Sequence, residues 1–252
     1  MAREYIERML TRYLAGLMQR WPAQCRICQR WPQPALCEAC ITRFAQPAPR
    51  CPRCALRVSE AGQLCGACRT SAPPALDAAY AAVDYNYPWV QLIAQFKFHG
   101  DVGLARHLAQ RMRHTPWAES ALDSARWLIP MPLSSQRLRE RGYNQATLLA
   151  RALDPRHPEK VRADLLTKPQ DTPLQHELGR KDRLQALRHA LHVPSAARGQ
   201  IQGQRLLLID DVMTTGASVQ AAAYALKSAG AAQVLALVFA RTPDPRRASD
   251  AA

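Results

Sequence analysis

Apolar and polar positions follow two alternating patterns from about residue 88 onward. Short aliphatic runs, typical of strands buried on both faces, occur among stretches whose apolar residues have the spacing of an amphipathic helix. The predicted strands are 126–134, 161–166, 206–209 and 234–240, and the predicted helices are 88–98, 102–113, 143–153 and 219–229. Because strands and helices alternate from about residue 120 onward, we predict an α/β fold with a parallel sheet and helices on both faces.

The chain before this region is patterned less regularly. Residues 76–88 alternate loosely between apolar and polar positions and predict a short hairpin or an extended lead-in. Residues 1–20 carry an apolar stripe at helical spacing, which predicts a helix docked on the protein body or, as an alternative, on a membrane surface. We therefore expect a helix over 1–20, a Cys-rich module over 21–72, a main domain over 73–242 and a disordered tail over 243–252.

All eight cysteines lie in the Cys-rich module, in four C-x-x-C pairs. The pairs are Cys25/Cys28, Cys37/Cys40, Cys51/Cys54 and Cys65/Cys68. This spacing turns both thiols of a pair toward one metal ion, and two pairs complete a tetrahedral four-thiolate site. A segment with few large apolar side chains needs such support, and structural zinc supplies on the order of 10 kcal/mol. We predict two structural Zn²⁺ ions and no disulfides; the short loops favour sequential pairing, with a crossed arrangement as the alternative.

The segment 206–218 combines a predicted buried strand with chemistry that suits a sugar phosphate. The strand leads to Asp210 and Asp211, whose ionised carboxylates accept hydrogen bonds and suit the 2′- and 3′-hydroxyls of a ribose. A loop and the start of a helix follow, and the N–H groups and dipole of a helix start favour a phosphate. The loop residues are Thr214, Thr215, Gly216, Ala217 and Ser218. An acid-capped helix after a buried strand is the alternative, but the whole run closely resembles the signature with which type I phosphoribosyltransferases bind phosphoribosyl diphosphate (PRPP).

A second candidate anion site follows the predicted strand 126–134. The turn after this strand carries Arg137, Arg139 and Arg141, and Gly142 precedes the next helix. Guanidinium groups bind phosphate oxygens bidentately, so pyrophosphate is a natural ligand, with a solvated run of charges as the alternative. Lys97 lies at a break between two predicted helices, and we expect an exposed lysine there, with contact to an anion as the alternative.

Composition adds a preference for polyanions. The formal net charge is +14, and 29 of the 34 basic residues are arginine. Two Zn²⁺ ions bound by eight thiolates change the charge by −8 + 4, to about +10. This balance suits single-stranded DNA or another polyanion, and a solubilising surface is the alternative. No apolar run approaches the roughly 18 residues of a membrane span and no signal peptide is evident, so we expect a soluble cytoplasmic protein.

The order of motifs along the chain resembles the ComF family, over about residues 20–240. After the cysteine pairs come K-F-x-G, P-M-P-L-S, R-x-R-x-R-G-Y-N-Q-A, T-P-L-Q-x-x-L-x-x-x-x-R and L-L-L-I-D-D-V-M-T-T-G-A-S. Members of this family are bacterial phosphoribosyltransferase-like proteins connected with DNA uptake in natural competence. Two positions depart from the pattern that we expect: Arg183-Leu184-Gln185-Ala186, where an Asn would complete Arg-x-x-Asn, and Ala190-Leu191, where an Ala-Phe pair is usual.

The resemblance implies a type I phosphoribosyltransferase-like sheet behind a double zinc ribbon. It implies that Asp210 and Asp211 bind the ribose and that residues 214–218 bind the 5′-phosphate of Mg²⁺-PRPP. It also implies that Arg137, Arg141 and Gly142 face the pyrophosphate. The polar stretch 167–183 is too long for an ordinary connection, and in it Gln175, Arg180 and Arg183 fall where such enzymes carry a flexible loop.

Three functions are compatible with this reading. The first is a PRPP-binding competence accessory that contacts single-stranded DNA or proteins of the uptake machinery. The second is an active phosphoribosyltransferase, for which the sequence identifies neither the acceptor nor a catalytic residue. The third is a PRPP-sensing regulator without turnover, which is compatible with the first.

Overall fold

The computed structural model describes residues 23–72, 74–168 and 190–244, which belong to two compact units. The first unit ends at Phe44 and the second begins at Ala45. This boundary separates the first four cysteines from the second four, so the second cysteine group shares a unit with the sheet. The predicted helix over 1–20 and residues 245–252 of the predicted tail lie outside the described residues.

The described part of the first unit, 23–44, is built around its cysteines. An antiparallel bridge joins Ala23 to Gln33, and one helix follows, α1 (Glu38–Phe44). Cys25, Cys37 and Cys40 are buried, and the partly buried Ile27 and Phe44 pack against them. Thiols therefore take the place that large apolar side chains hold in an ordinary core.

The second unit contains four strands and eight helices within its described residues. They are α2 (Gly66–Thr70), β1 (Ala78–Asp84), α3 (Trp89–Phe98), α4 (Leu104–Arg113), α5 (Ala118–Ser124), β2 (Trp127–Pro130), α6 (Ser135–Arg141), α7 (Gln145–Leu153), α8 (Arg198–Ile201), β3 (Arg205–Met213), α9 (Ala217–Ser228) and β4 (Gln233–Arg241). Short 3₁₀ turns occur at Pro158–Lys160 and Ser195–Ala197.

The four strands form one parallel sheet in the order β1-β4-β3-β2. The two central strands are apolar almost throughout, as expected for strands covered by helices on both faces. Their last residues pair side by side, with Met213 opposite Arg241. The predicted α/β fold with a parallel sheet and covering helices is confirmed, and the carboxyl edge of the sheet becomes the place to look for a site.

Helix packing closes the core on this sheet. Helix α9 packs on β4, and α7 packs on β3 and on α4. Trp89 of α3 and Phe239 of β4 are fully buried and meet edge to face, with ring centroids 5.5 Å apart. Burial of each such ring stabilises the fold by about 2–3 kcal/mol. This contact attaches helix α3 to the carboxyl half of β4.

Three predicted elements differ in the structure. Of the two alternatives predicted for the stretch 76–88, the extended one is present and the hairpin is not, because β1 pairs in parallel with β4 as an edge strand. The stretch 161–166 forms a single bridge from Val161 to Leu128 and no strand, although Leu165 and Leu166 are fully buried. The apolar run there reflects burial of a bent loop, which a short hydrophobic run cannot distinguish from a strand.

The third difference concerns β3, which does not end before its acidic pair. It continues through Asp210 and Asp211 to Met213, because the backbone still pairs with β4 at Val238 and Ala240. No helix among the described residues is long and apolar enough to cross a membrane.

Candidate functional site

Two consecutive carboxylates occupy the carboxyl end of β3 in different environments. Neighbouring strand residues project to opposite sides, and Asp211 is only 5% exposed whereas Asp210 is half-buried. Asp211 Oδ1 forms an ion pair with Lys97 Nζ at 3.0 Å. Asp211 Oδ2 is buried and has no hydrogen-bond partner among the residues that the structure describes. An unsatisfied buried acceptor costs about 1–3 kcal/mol. Such an atom calls for an explanation, and a hydrogen-bond donor on a bound ligand is one.

The Asp210 carboxyl is tuned by the same surroundings. The pKa of Asp210 is raised to about 8, first by burial and then by the neighbouring Asp211 carboxylate. Two groups lower this pKa: the Asp211 N–H, which donates to Asp210 Oδ1 at 2.9 Å, and the Lys97 ammonium. A perturbed carboxyl beside a cleft is a common feature of binding and catalytic sites.

Lys97 is therefore a site residue, and the expectation of a merely exposed lysine is wrong. Helix α3 ends one residue later, and the last carbonyls of a helix lack partners within it. The Tyr143 hydroxyl donates to the Phe96 carbonyl, and Gln145 Nε2 donates to the Lys97 carbonyl at 3.4 Å. These contacts fix the end of α3 so that the lysine reaches Asp211.

The predicted arginine-bearing turn is a helix, α6. The Ser134 hydroxyl caps it by accepting from the Arg137 N–H at 3.4 Å. Gly142 ends it with a φ of +76°, a left-handed conformation that favours glycine. Asn144 then caps α7 by accepting from two N–H groups, and its amide donates to the Met131 carbonyl at 3.0 Å.

Helix α6 decides which arginines face the acidic pair. Arg137 and Arg141 are four residues apart, on one face of the helix, and both line the cleft. Arg139 lies about 200° around the helix from each of them and does not line it. Arg141 Nη1 donates to Gln145 Oε1 at 3.2 Å. Gly142 shapes the turn between α6 and α7 and is not part of the lining.

These groups surround a narrow cleft of about 190 Å³ at the carboxyl edge of the sheet. Its polar lining includes Lys97, Arg137, Arg141, Asn144, Gln145, Lys168, Asp210, Asp211 and Ser218. Leu191, in the Ala190-Leu191 pair, is buried and lines the cleft as well. The two predicted sites, acidic and basic, therefore meet in one place. Such a cleft offers acceptors for hydroxyl groups on one side and guanidinium donors for an anion on the other.

The predicted phosphate loop separates this cleft from a wider one. Gly216 has a φ of +82° and stands at the N-terminus of α9, and the Ala217 N–H donates to Thr215 Oγ1 at 3.3 Å. Ser218 faces the narrow cleft, whereas Thr214, Thr215 and Ala217 line a cleft of about 1010 Å³ beside the second cysteine group. The predicted loop residues Gln175, Arg180 and Arg183 lie outside the described residues, as does the Arg183–Ala186 departure.

Sequence patterns missed Arg241, the last residue of β4. It is buried, and its guanidinium donates to the backbone carbonyls of Cys54 and Met213. The available signal was an arginine that directly follows the predicted strand 234–240.

The eight cysteines form two groups of free thiols in the sequential arrangement. The groups are Cys25/Cys28/Cys37/Cys40 and Cys51/Cys54/Cys65/Cys68, and within each all Sγ atoms lie within 4.8 Å of one another. The pairs Cys25–Cys40, Cys28–Cys37 and Cys54–Cys65 have Sγ–Sγ distances of 3.9, 3.7 and 3.5 Å. A tetrahedral ion with bonds of about 2.3 Å to sulfur requires separations of about 3.8 Å, so both groups could hold a metal ion.

Comparisons with known proteins agree with this architecture. A model of the phosphoribosyl transferase domain family matches residues 140–252. The chain is 27% identical over 230 residues to the DNA utilization protein YhgH of Salmonella typhimurium, which covers 88% of this chain and 98% of that protein. It is 29% identical to the Competence protein F of Haemophilus influenzae, over 82% of this chain and 90% of that protein. It is 30% identical to the Competence protein ComFC of Bacillus subtilis, over 59% and 57%.

Proposed function

This chain belongs to the ComF family of competence-associated, phosphoribosyltransferase-like proteins, and we propose that its narrow cleft binds Mg²⁺-PRPP. The observation that carries the proposal is the buried Asp211 Oδ2, which has no partner among the described residues and belongs to an acidic pair that shares a cleft with two arginines. A ribose supplies the missing hydroxyl donor, and a pyrophosphate supplies the anion for the guanidinium groups.

In the proposed complex each motif has one role. Asp210 and Asp211 accept from the ribose hydroxyls, and Arg137 and Arg141 bind the pyrophosphate. Residues 214–218, of which Ser218 lines the narrow cleft and three others line the wider one, bind the 5′-phosphate at the boundary of the two through backbone N–H groups and hydroxyls. Carboxylates also attract the Mg²⁺ ion that accompanies a pyrophosphate, since this ion prefers oxygen ligands. We propose that Gln175, Arg180 and Arg183, which lie outside the described residues, belong to a loop that closes over the ligand.

We further propose a role in DNA uptake or use, with contact to single-stranded DNA or to proteins of the uptake machinery. The names of the three relatives, DNA utilization protein and two competence proteins, support this role. The formal net charge of +14 supports contact with a polyanion, since arginine and lysine release counterions from phosphates.

Each cysteine group is proposed to hold one Zn²⁺ ion with a structural role. Four thiolates fill all positions of a tetrahedral ion, so neither ion has an open position for a reactive water. Thiolates of this kind persist in a reducing compartment, which supports a cytoplasmic location for the protein.

Calorimetric titration with PRPP and Mg²⁺, with and without single-stranded DNA, tests the cleft and its link to DNA together. We expect saturable PRPP binding by the full chain and none by an Asp210→Asn/Asp211→Asn variant. Unchanged binding by that variant would contradict the assignment of the acidic pair. A change in PRPP affinity when DNA is present would show that the two ligands are coupled.

A second candidate is turnover, which the match to the phosphoribosyl transferase domain model favours. In that case positioning and charge stabilisation let pyrophosphate leave as a nucleophile attacks the anomeric carbon of the ribose. Release of pyrophosphate in the presence of a panel of nucleobases tests this candidate, with the double-Asn variant as the control for contaminating activity. PRPP binding without pyrophosphate release would favour a PRPP sensor.

A further inference from the structure

Arg241 connects the second cysteine group to the start of the phosphate loop. We propose that this arginine positions the loop, so that metal binding by Cys51, Cys54, Cys65 and Cys68 and phosphate binding by residues 214–218 strengthen each other. The proposal rests on the function proposed above for the loop and adds a control element to it.

The connection consists of hydrogen bonds from one buried guanidinium to four backbone carbonyls. Arg241 Nε donates to the Cys54 carbonyl at 2.8 Å. Arg241 Nη1 donates to the carbonyls of Met213 at 3.1 Å and Thr242 at 2.9 Å, and to that of Thr214. Met213 ends β3 and Thr214 begins the phosphate loop. The side chain therefore reaches from a potential metal ligand to the first residue of the loop.

An arginine suits this position for a physical reason. Carbonyls at the end of a strand have left the sheet ladder and need donors, and a buried carbonyl without one is costly. Guanidinium presents five N–H groups in a fixed plane, whereas a lysine ammonium presents three from a single point. Arg241 donates at once to the Cys54 carbonyl of the cysteine-bearing turn and to the Met213 and Thr214 carbonyls at the start of the loop. A shift of either segment therefore strains the hydrogen bonds that hold the other.

A second set of contacts attaches the same cysteine group to the sheet. Asp84, the buried last residue of β1, forms ion pairs with Arg50, at 2.9 Å, and with Arg57. The Ala79 N–H donates to the Pro52 carbonyl at 2.9 Å. The metal-binding turn between residues 50 and 57 is thus attached on its β1 side as well as through Arg241. It is part of the wall of the wider cleft that Thr214 and Thr215 also line.

Metal binding is expected to act on the loop through the Cys54 backbone. A metal ion that fixes the four sulfur atoms also fixes the Cys54 carbonyl, which holds Arg241 in the orientation that reaches Met213 and Thr214. Loss of the ion frees the turn, and the loop carbonyls lose a stable donor. Coupling between two sites is reciprocal in binding free energy, so phosphate bound at the loop must also strengthen binding of the metal.

The first cysteine group supplies a matched control, because it belongs to the other unit, which ends at Phe44. Cys28→Ser weakens the first group and Cys68→Ser weakens the second, with the same change of one ligand. Arg241→Met removes the bridge and leaves all eight thiols in place, and Arg241→Lys keeps the charge without the planar donor set.

The experiment measures three quantities on the full chain: zinc content, affinity for Mg²⁺-PRPP by calorimetry, and hydrogen exchange of the amides of residues 214–218. We expect Cys68→Ser and Arg241→Met to weaken PRPP binding at least tenfold and to speed amide exchange in the loop at least tenfold. Cys28→Ser should stay within twofold of the unaltered chain, and Arg241→Lys should fall between. Both Arg241 variants should retain two zinc ions per chain.

The effect of PRPP on zinc binding distinguishes a positioning role of Arg241 from a merely structural one. PRPP should raise the zinc affinity of the second group in the unaltered chain, measured by competition with a chelator at equilibrium. It should have no effect on that affinity in Arg241→Met. The proposal would be overturned if Cys28→Ser and Cys68→Ser changed PRPP affinity equally. It would also be overturned if amide exchange in the loop were the same with and without metal in the second group. If the unaltered chain bound no PRPP, the proposed function would fail, and the exchange data alone would still decide whether the metal site positions the loop.

Discussion

At the scale of single residues, the acidic pair shows how a strand gives two neighbours different chemistry. Asp211 is buried beside the Lys97 ammonium, whereas Asp210 faces the cleft with its pKa raised to about 8 by burial and by its neighbour. The adjacent pair could be identified from the chain because its members are consecutive. Lys97 and Arg241 could not, since the strand order places Arg241 at this edge and contacts of the end of α3 with distant residues bring Lys97 to it.

The first prediction concerns Asp210→Asn and the pH dependence of stability. The folded protein holds the Asp210 proton up to about pH 8, whereas the unfolded chain releases it near the ordinary pKa of 3.8. The free energy of unfolding therefore falls as pH rises between these values. The neutral amide avoids this loss, so we expect the variant to exceed the unaltered protein by about 2 kcal/mol at pH 8, discounted for water in the cleft, and to match it at pH 4.

Urea denaturation at both pH values measures this difference, with Asp123→Asn, at an exposed position of α5, as the control. An advantage for Asp210→Asn that stayed constant from pH 4 to pH 8 would show that the carboxyl does not titrate as argued. The stabilised variant should nevertheless bind no PRPP, which is the usual relation between a strained binding group and fold stability.

The second prediction tests the contact of Lys97 with Asp211. Lys97→Met leaves a buried carboxylate without its cation and should lower the free energy of unfolding by about 2 kcal/mol. Asp211→Asn in the same chain removes the charge that lost its partner, so the double variant should recover at least half of that loss. Denaturation of both single variants and of the double variant at pH 7 gives the coupling energy. Additive losses would show that the ion pair contributes nothing.

At the scale of elements, prediction succeeded where apolar residues set the pattern and failed where polar contacts did. The run before Asp210 and the helix after Gly216 follow from buried periodicity, and both are present as β3 and α9. Helix α6 has no apolar stripe, since its sequence SQRLRER contains one leucine, and no residue of it is buried. It is defined by the Ser134 cap and the left-handed Gly142, and its sequence pattern alone therefore predicts a turn.

The third prediction follows from the helical form of α6. Arg137→Ala and Arg141→Ala each remove a guanidinium from the cleft and should weaken binding of Mg²⁺-PRPP by about 2 kcal/mol, or roughly thirtyfold. Arg139→Ala removes the same charge from another face of the helix and should change affinity less than threefold. Calorimetric titration of the three variants at one salt concentration makes the comparison. Equal losses for all three would indicate a diffuse electrostatic effect in place of a directed site.

At the scale of the whole molecule, the chain combines three features: two four-cysteine groups, a phosphoribosyltransferase-like sheet and an excess of arginine. The spacing of the cysteine pairs predicted the composition of both groups, because sequential loops are short. It could not predict that the second group lies in the same unit as the sheet, since that depends on the Arg241 and Asp84 contacts between distant residues. The turn that carries Cys51 and Cys54 is thus part of the architecture of the proposed site.

The fourth prediction concerns the charge of the whole chain and DNA. A net charge of about +10 with both zinc ions bound favours single-stranded DNA through release of counterions, which gives the logarithm of the affinity a slope of about −0.7 per neutralised phosphate against the logarithm of salt concentration. With about five phosphates contacted, affinity should fall roughly a hundredfold between 50 and 200 mM salt. Fluorescence anisotropy of a labelled oligonucleotide measures the slope, and the Asp210→Asn/Asp211→Asn variant serves as the control, because its surface arginines are intact and its slope should be unchanged. An electrostatic contact with DNA would be contradicted if no binding occurred below about 100 mM salt, where screening is weakest. It would also be contradicted if the affinity did not change with salt concentration.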